Sequence, residues 1–595
     1  MSARTNAINL KAVILSSGAL ASPFRPRCFC GVGPARSRRT CCFLPTARVL
    51  VTQIFATADP SVVLSRSLQR PPSRSFVMTN SEEVSGRRGS SHAPSKQFAN
   101  TARCSLKKRT QSSFVQVLFC FVLLFTSFSP AQVKPWNQIQ APPLPAFKPQ
   151  QPLRVQLPNG MVIFLQEDHE LPLIDASARI RGGSVNAPAN KAGMLGLYGE
   201  VWRTGGTKTK TGDQMDDFLE ARAAKIETED DAESTSISLN CLKGDFDAVF
   251  DMFLDLLHNP EFRTDKLELA KDQMYTEISR RNDDVESIVH RESRIIAYGK
   301  DNAYARVPEY ATVASVSRDD LLNWHQQYAY PNNIIFGITG DFDPKAMQAK
   351  LEQAFGSWQK GPGAQQPDVK FTEPKPGLYL IGKSDVNQST IAMLDLGIER
   401  SNPDYFAVSV MNEIFGGGFS SRLFNNIRSK LGLAYAVGGG VGFGWDRPGL
   451  TNIEMQTKSA TTVDGIQALN NEIDDLQKNA ATPEELKRAK DNILNSFIFQ
   501  FDTPEKVLRE KMSYEFYHYP FDFLERYRTE VEKVTADDVT RVARKYVHKD
   551  RMAVLVLGNG AEFGKPLSTL GPVQNVDIAI PPPPASLMQQ GPGGE

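Results

Sequence analysis

The sequence predicts an α+β protein that consists of two homologous halves. The first observation is a repeat in which six residues recur 218 positions later. The repeated pairs are Val316/Val534, Ser317/Thr535, Asp319/Asp537, Asp320/Asp538, Tyr328/Tyr546 and Gly340/Gly558. The second is that Ser317 and Thr535 each precede an aspartate by three residues, which is a capping pattern for a helix start. The third is an apolar run after each predicted helix, at 334–339 and 552–557, which indicates a strand. We therefore expect one α+β unit to be duplicated.

Composition and charge are those of an ordinary globular protein. The chain has 595 residues, is 41% hydrophobic and 23% charged, and carries a formal net charge of +1. This balance gives no reason to expect nucleic acid as a partner, because nucleic acid binds to basic patches or stripes. Of the cysteines, Cys241 alone follows residue 132, so we expect it to be a small buried residue and not part of a disulfide.

The composition of residues 1–131 predicts a targeting segment and no folded domain. Residues 1–104 are rich in Ser, Arg and Pro, and we expect them to be disordered or to precede the true start of translation. Residues 105–131 contain a basic cluster, an apolar run and a small-x-small site, the pattern of a secretory signal peptide or of an uncut signal anchor. Both interpretations predict a secreted or periplasmic protein, with a membrane anchor if the segment stays uncut.

The remaining boundaries follow from composition and from the repeat. A proline-rich, stiff lead-in is expected first, and a segment rich in Gly, Pro and Gln separates the halves. The expected segments are the lead-in 132–152, the first half 153–360, the linker 361–376, the second half 377–563 and a disordered tail 564–595.

In the first half, alternation of apolar residues predicts strands on both sides of the turn Pro158–Gly160 and from Ile174 to Arg181. Apolar residues at helical spacing predict a helix from about Ala192 to Arg203. The other expected elements are a helix at 211–224, strands within 226–242 joined by an acidic turn at 229–231, and an amphipathic helix at 246–257.

The stretch from Phe415 to Gly440 concentrates glycines around an arginine and a tyrosine. Ser420 or Ser421 is expected to cap a helix whose last turn contains Arg428, and a strand entering the core should follow at 433–437. On the residues alone, Arg428 would complement the C terminus of its helix, and Tyr435 would pack in the core.

Within this stretch, SRLF at 421–424, IR at 427–428 and GLAY at 432–435 resemble the second half of the M16, or inverzincin, metallopeptidases. The resemblance implies two domains that form half of a clamshell. It implies that Arg428 and Tyr435 bind substrate and stabilise the oxyanion formed at a zinc site across the chamber. A guanidinium and a phenol suit this role because both donate hydrogen bonds that strengthen where water is excluded. The resemblance also implies substrate binding by Gly416, Gly417 and Gly418.

The same family carries H-x-x-E-H on the helix that corresponds to residues 192–203, with two histidines that hold zinc and a glutamate as general base. Counting back from Thr207 places these three positions on Leu197, Glu200 and Val201, and the family's third ligand falls on Glu277. Leu and Val have no lone pair, and a catalytic zinc needs three protein ligands. No metal or other cofactor is therefore expected in this chain. Glu200 and Glu277 are either relics on a polar face or retain an active role.

The resemblance further implies that an edge strand near Ile226 takes the substrate peptide by β-augmentation. The acidic residues 229–231 would favour basic peptides at this edge, although charge at an edge also blocks aggregation.

Three functional hypotheses follow. In the first, the chain is the M16B-like, non-zinc subunit of a heterodimeric peptidase, and Arg428 and Tyr435 act in trans at the zinc of an H-x-x-E-H partner. Such a chain would bind peptide but would not hydrolyse it alone. In the second, it is a peptide-binding or assembly subunit without activity. In the third, it is a self-sufficient metallopeptidase with an unusual metal site.

Overall fold

The computed structural model describes residues 148–588. The expected leader, the signal segment and most of the lead-in lie outside these residues, as does the end of the tail. Among residues 148–588, no helix combines the length and the apolar character that crossing a membrane requires.

The first half contains six strands and eight helices within the described residues. Its strands are β1 Leu153–Gln156, β2 Val162–Glu167, β3 Leu173–Arg181, β4 Lys225–Asp230, β5 Ser234–Leu242 and β6 Ile334–Gly340. Its helices are α1 Met194–Thr204, α2 Gly212–Glu220, α3 Phe246–His258, α4 Thr264–Arg280, α5 Val285–Tyr298, α6 Tyr310–Ala314, α7 Arg318–Tyr328 and α8 Pro344–Phe355.

The second half follows after an irregular segment. Its strands are β7 Gly377–Gly382, β8 Gln388–Leu396, β9 Ile398–Glu399, β10 Ala434–Gly440, β11 Phe443–Gly444, β12 Leu450–Lys458, β13 Ala553–Gly558 and β14 Val573–Asn575. Its helices are α9 Tyr405–Phe415, a π-helix Phe424–Lys430, α10 Thr462–Lys478, α11 Pro483–Ile498, α12 Pro504–Tyr517, α13 Phe523–Lys533, α14 Ala536–Tyr546 and α15 Ala585–Met588.

Each half builds one six-stranded sheet, and five strands of each sheet share the same topology, whereas the outer strand is antiparallel in the first sheet (β1) and parallel in the second (β14). The orders are β1-β2-β6-β3-β5-β4 and β14-β7-β13-β8-β12-β10. In both sheets the second and third strands of this order are parallel, and the pairs that follow are antiparallel. Helices α7 and α14 are 218 residues apart at both ends. The predicted duplication and the α+β fold class are thus confirmed.

The predicted capping boxes start the repeated helices. Ser317 Oγ accepts the backbone N–H of Asp320 at 3.3 Å, and Asp320 Oδ2 accepts the N–H of Ser317 at 2.8 Å. Thr535 and Asp538 form the same pair of bonds at 3.1 and 3.0 Å. These bonds satisfy donors that a helix start otherwise leaves unpaired.

The two halves exchange one helix each. Strands β6 and β13 are buried along their whole length, so both faces of each sheet must be covered. Helix α5 of the first half packs Ile288 and Val289 against β8 and β13 of the second sheet. Helix α12 of the second half packs Leu508 and Met512 against β2 and β6 of the first sheet. Because α5 and α12 are 219 residues apart at both ends, they are equivalent elements of the repeat.

Four expectations about elements need correction. Residues 211–224 form a shorter helix, because Ala223 takes a left-handed conformation with φ of 50° after α2 ends. The acidic residues Glu229 and Asp230 belong to β4, and the turn occupies 231–233. The strand expected to enter the core is β10, which lies at the edge of its sheet. The tail is not disordered throughout, because Val573–Asn575 pair with β7 as β14.

Candidate functional site

Arg428 and Tyr435 lie together at the edge of the second sheet. The guanidinium carbon of Arg428 is 4.7 Å from the ring centroid of Phe424 and 5.8 Å from that of Tyr435. Within residues 148–588, the Arg428 guanidinium has no hydrogen bond and no ion pair. Tyr435 is 61% exposed on β10. The interpretation that Tyr435 packs in the core is therefore wrong, and both side chains present donors to solvent.

A π-helix presents Arg428. Ser421 Oγ accepts the N–H of Phe424 at 3.3 Å, so the expected serine cap is present. The turn that follows is wider than an α-turn, and the N–H of Leu431 donates to the carbonyl of Asn426, five residues earlier, at 3.0 Å. Gly432 ends the helix with φ of 65°. The sequence pattern predicted an ordinary helix here, whereas π-turns are rare and occur often at functional sites.

The three glycines before this helix differ in how much space a side chain would have at each position. A Cβ at Gly416 would overlap the carbonyl oxygen of Gly439 on β10. A Cβ at Gly417 would come within 2.6 Å of the Glu413 carboxylate. A Cβ at Gly418 would meet no atom within 4 Å. Close packing thus accounts for Gly416 and Gly417, and Gly418 is the one that faces open space.

Glu200 on α1 and Glu277 on α4 are the carboxylates that remain at the degenerate metal site. Loss of hydration raises the pKa of Glu200, and the neighbouring carboxylate of Glu227 raises it further. Loss of hydration also raises the pKa of Glu277, with a smaller contribution from Glu200. Helices α1 and α4 pack against each other, so the fold places the two carboxylates on neighbouring elements.

The other two positions of the motif lie in the core. Leu197 and Val201 are 1% and 0% exposed and pack in the core of the first half. Glu200 lies on the solvent-facing side of α1, and Gly196 lies one turn earlier on the same side. A Cβ at Gly196 would be 3.2 Å from Met274 on α4. The count from Thr207 did not identify Gly196 as a residue of this side, because it gives no information on which face of α1 is exposed.

These residues do not fit a zinc ion. Leu197 and Val201 offer no lone pair and point into an apolar cluster. No group of three or more His, Cys, Asp or Glu side chains is placed to hold a metal ion anywhere in 148–588. Two carboxylates alone are fewer than the three protein ligands of a catalytic zinc. No reaction step at a metal of this chain follows from the structure.

Strand β4, which contains Ile226, lies at the free edge of the first sheet next to α1. The side chain of Ile226 is buried, and its carbonyl accepts a hydrogen bond from Arg203 Nε at 2.8 Å. Thr228 Oγ1 donates to the carbonyl of Gly199 at 2.5 Å. Burial, followed by the charge of Asp231, raises the pKa of Asp230 to about 6. The edge carries the expected acidic residues, and Arg203 and Gly199 of α1 already contact part of it.

Comparison with known proteins identifies the class. The family description "Insulinase (Peptidase family M16)" matches residues 163–306, and "Peptidase M16 inactive domain" matches residues 315–493. The "Non-peptidase homolog YmxG" of Helicobacter pylori is 21% identical over 405 residues, which cover 67% of this chain and 91% of that protein. The "Uncharacterized zinc protease YmxG" of Bacillus subtilis is 22% identical over 406 residues, which cover 68% and 97%.

Solved structures show the same fold. The peptidase M16 inactive domain from Pseudomonas fluorescens superposes with a TM-score of 0.64 at 23% identity, over 70% of this chain and 100% of that one. A protease from Helicobacter pylori superposes with a TM-score of 0.61 at 17% identity, over 69% and 100%.

The fold and the degenerate site thus define a two-domain protein of the peptidase type in which residues 148–588 contain no complete set of zinc ligands. The chain belongs to the M16 peptidase family. Within that family, one matching model describes an inactive domain, and one relative is named a non-peptidase homolog.

Proposed function

We propose that this chain is the non-zinc subunit of a two-chain M16B-type peptidase. It binds peptide, and Arg428 and Tyr435 act in trans at the zinc site of a partner that carries H-x-x-E-H. The observation that supports this best is Arg428, a half-buried guanidinium with no ion pair in 148–588, held beside an exposed phenol. The predicted signal segment at 105–131 would place this assembly outside the cytoplasm.

The contacts of Arg428 suit an oxyanion. The Phe424 and Tyr435 rings contact the guanidinium through cation–π interactions, which use none of its N–H donors. A guanidinium is always charged and presents its donors in a fixed plane. Donors fixed in advance stabilise the charge that develops on a tetrahedral intermediate, and this effect is largest where water is excluded. The partner supplies the zinc, because the part of the chain that the structure describes holds no set of ligands for it.

The edge of β4 gives the peptide a second contact. Glu227 and Glu229 are exposed on this strand and have no ion pair within 148–588. An extended peptide that adds to this edge would therefore meet negative charge, which favours basic side chains. The carbonyl of Ile226 already accepts Arg203, so the peptide would share or displace that bond.

The test uses the complex that co-purifies with the tagged chain from its own cells. Arg428→Ala should lower kcat of the complex about a hundredfold, because it removes a donor to the intermediate. Lys430→Ala is the matched control, since Lys430 is an exposed cation on the same π-helix and donates only to Asn426. Equal activities of the Arg428→Ala complex and the unmodified complex would rule the proposal out.

A second candidate function is a peptide-binding or assembly subunit without peptidase activity. The inactive-domain match and the non-peptidase name of the Helicobacter pylori relative favour it. The same purification separates the two candidates. A complex with no H-x-x-E-H chain and no peptidase activity would support the assembly subunit.

A further inference from the structure

A buried polar cluster joins the two halves through side chains that belong to none of the motifs described above. Its centre is Glu233, which ends the turn between β4 and β5 and whose side chain is 8% exposed. Tyr517, the last residue of α12, donates its hydroxyl to Glu233 Oε2 at 2.6 Å. Arg447 Nη2 lies 3.5 Å from Glu233 Oε1. One carboxylate of the first half thus contacts two side chains of the second half.

The turn that carries Glu233 is held firmly by the first half. Asp231 Oδ1 accepts the N–H groups of Glu233 and Ser234, both at 2.6 Å. The carbonyl of Glu233 accepts the N–H of Gly182 at 3.0 Å. A Cβ at Gly183 would be 2.5 Å from the nitrogen of Glu233, so the two chain segments are in close contact. Because this turn directly follows β4, a shift of the Glu233 carboxylate would also shift the end of β4.

Arg447, one of the two partners of Glu233, belongs to the chain segment that continues from β10. Arg447 lies in the loop 445–449, which follows β10 and β11 and leads into β12. Trp445 of this loop stacks on the Tyr517 ring at 4.8 Å with an interplanar angle of 5°. The guanidinium carbon of Arg400 is 3.6 Å from the centroid of the Trp445 ring. The loop is thus fixed to Tyr517 by stacking and to Glu233 by charge.

The contact between Glu233 and Arg447 leaves polar atoms unsatisfied. Glu233 Oε1 and Arg447 Nε are both buried and have no hydrogen-bond partner within 148–588. A buried charge that loses its partner is strongly destabilising. The Glu233–Arg447 pair lies between the turn after β4 and the loop 445–449. Removal of one partner would leave the other charge buried and unpaired, so we expect both segments to be destabilised.

We propose that Glu233 is a positioning residue that fixes the β4 edge of the first sheet relative to β10 of the second. The link consists of Glu233, Arg447 and Tyr517, with Trp445 stacked against it. This inference rests on the proposed function, in which the β4 edge binds the peptide and β10 carries Tyr435. The coupling of the two strands, however, is measurable without any peptide or partner chain.

The test is hydrogen–deuterium exchange on the full chain with Glu233→Ala, Glu233→Gln and Arg447→Met variants. Glu233→Ala should raise amide exchange at least tenfold in both 225–230 and 434–440. Glu233→Gln retains an acceptor for Tyr517 but leaves the Arg447 charge without its partner, so it should restore only part of the protection. Glu229→Ala, on the same strand but exposed and unpaired within 148–588, is the control and should change neither segment.

Faster exchange confined to 231–233, with 434–440 unchanged, would overturn the proposal. If Glu233→Ala does not fold, Arg447→Met removes the same pair from the other side and should give the two-segment response. Trp445 provides a spectroscopic reading, since its emission should shift in Glu233→Ala and not in Glu229→Ala. These readouts do not depend on peptidase activity, so failure here is distinguishable from failure of the Arg428 experiment.

Discussion

Tyr198 and His325 form a hydrogen bond in the core of the first half. His325 Nε2 lies 2.9 Å from the carbonyl of Leu257, to which it donates. Nδ1 is therefore the acceptor for the Tyr198 hydroxyl at 2.8 Å. Burial lowers the pKa of His325 to about 4. The neutral imidazole is satisfied on both sides, and its role is structural.

This histidine predicts an acid-sensitive fold. Its pKa is about 4 in the folded state and about 6.5 in the unfolded chain, so the unfolded chain binds the proton first as pH falls. The stabilisation is complete above pH ~6.5 and is lost as pH falls through 4, and it amounts to about 3 kcal/mol. Urea unfolding between pH 4 and 7 measures how the free energy of unfolding changes with pH. His325→Gln should reduce that pH dependence by up to ~1.4 kcal/mol per pH unit. An unchanged pH dependence would contradict the conclusion that His325 is neutral in the folded state.

At the scale of elements, the exchange of α5 and α12 makes each sheet depend on the other half. The contact of α12 with β6 is close. Gly337 on β6 lies under Met512 of α12, and a Cβ at Gly337 would overlap the Met512 sulfur. Any side chain at Gly337 must therefore displace the helix or the methionine.

A double-mutant cycle at this contact tests the exchange. Gly337→Ala should destabilise the protein by about 1–3 kcal/mol through overpacking. Met512→Ala should destabilise it by about 2–5 kcal/mol through the cavity that it leaves. The double variant should lose less than the sum by at least ~1 kcal/mol, because the new methyl group fills part of that cavity. Additive losses in urea unfolding would show that the two residues are not in contact.

The two halves are also joined by the segment that follows β14. Val576 and Ile578 pack with the residues of α5 and the second sheet, and Ile580 packs against the core of the first half. Asn282 Nδ2 donates to the carbonyl of Ile578 at 2.7 Å. Residues 573–580 thus contact both halves.

Truncation should therefore destabilise the whole molecule. A chain that ends at Gly571 loses β14 and the three apolar contacts, and its Tm should fall by at least about 5 °C. The control is a chain that ends at Ile580, which retains all of these contacts and should keep the original Tm. Equal Tm values for the two truncated chains would show that residues 572–580 do not stabilise the protein.

The candidate site could be predicted only in part. The SRLF and GLAY motifs located Arg428 and Tyr435, and Thr207 located Glu200, because these patterns are local. The exposure of Tyr435 and the burial of Leu197 and Val201 were not predictable in this way. They depend on which strand takes the edge of the sheet and on which face of α1 meets the core.

The sequence by itself determined the duplication, the capped helices, the α+β class and the place of the motifs. Each of these depends on residues a few positions apart or on a direct repeat. The tertiary structure alone decided that α5 and α12 exchange sheets, that a π-helix carries Arg428 and that β14 completes the second sheet. The physical reason is that the sequence pattern of a helix shows which of its faces is apolar but not which of two similar sheets that face covers. Contacts between residues more than a hundred positions apart decide which sheet it covers.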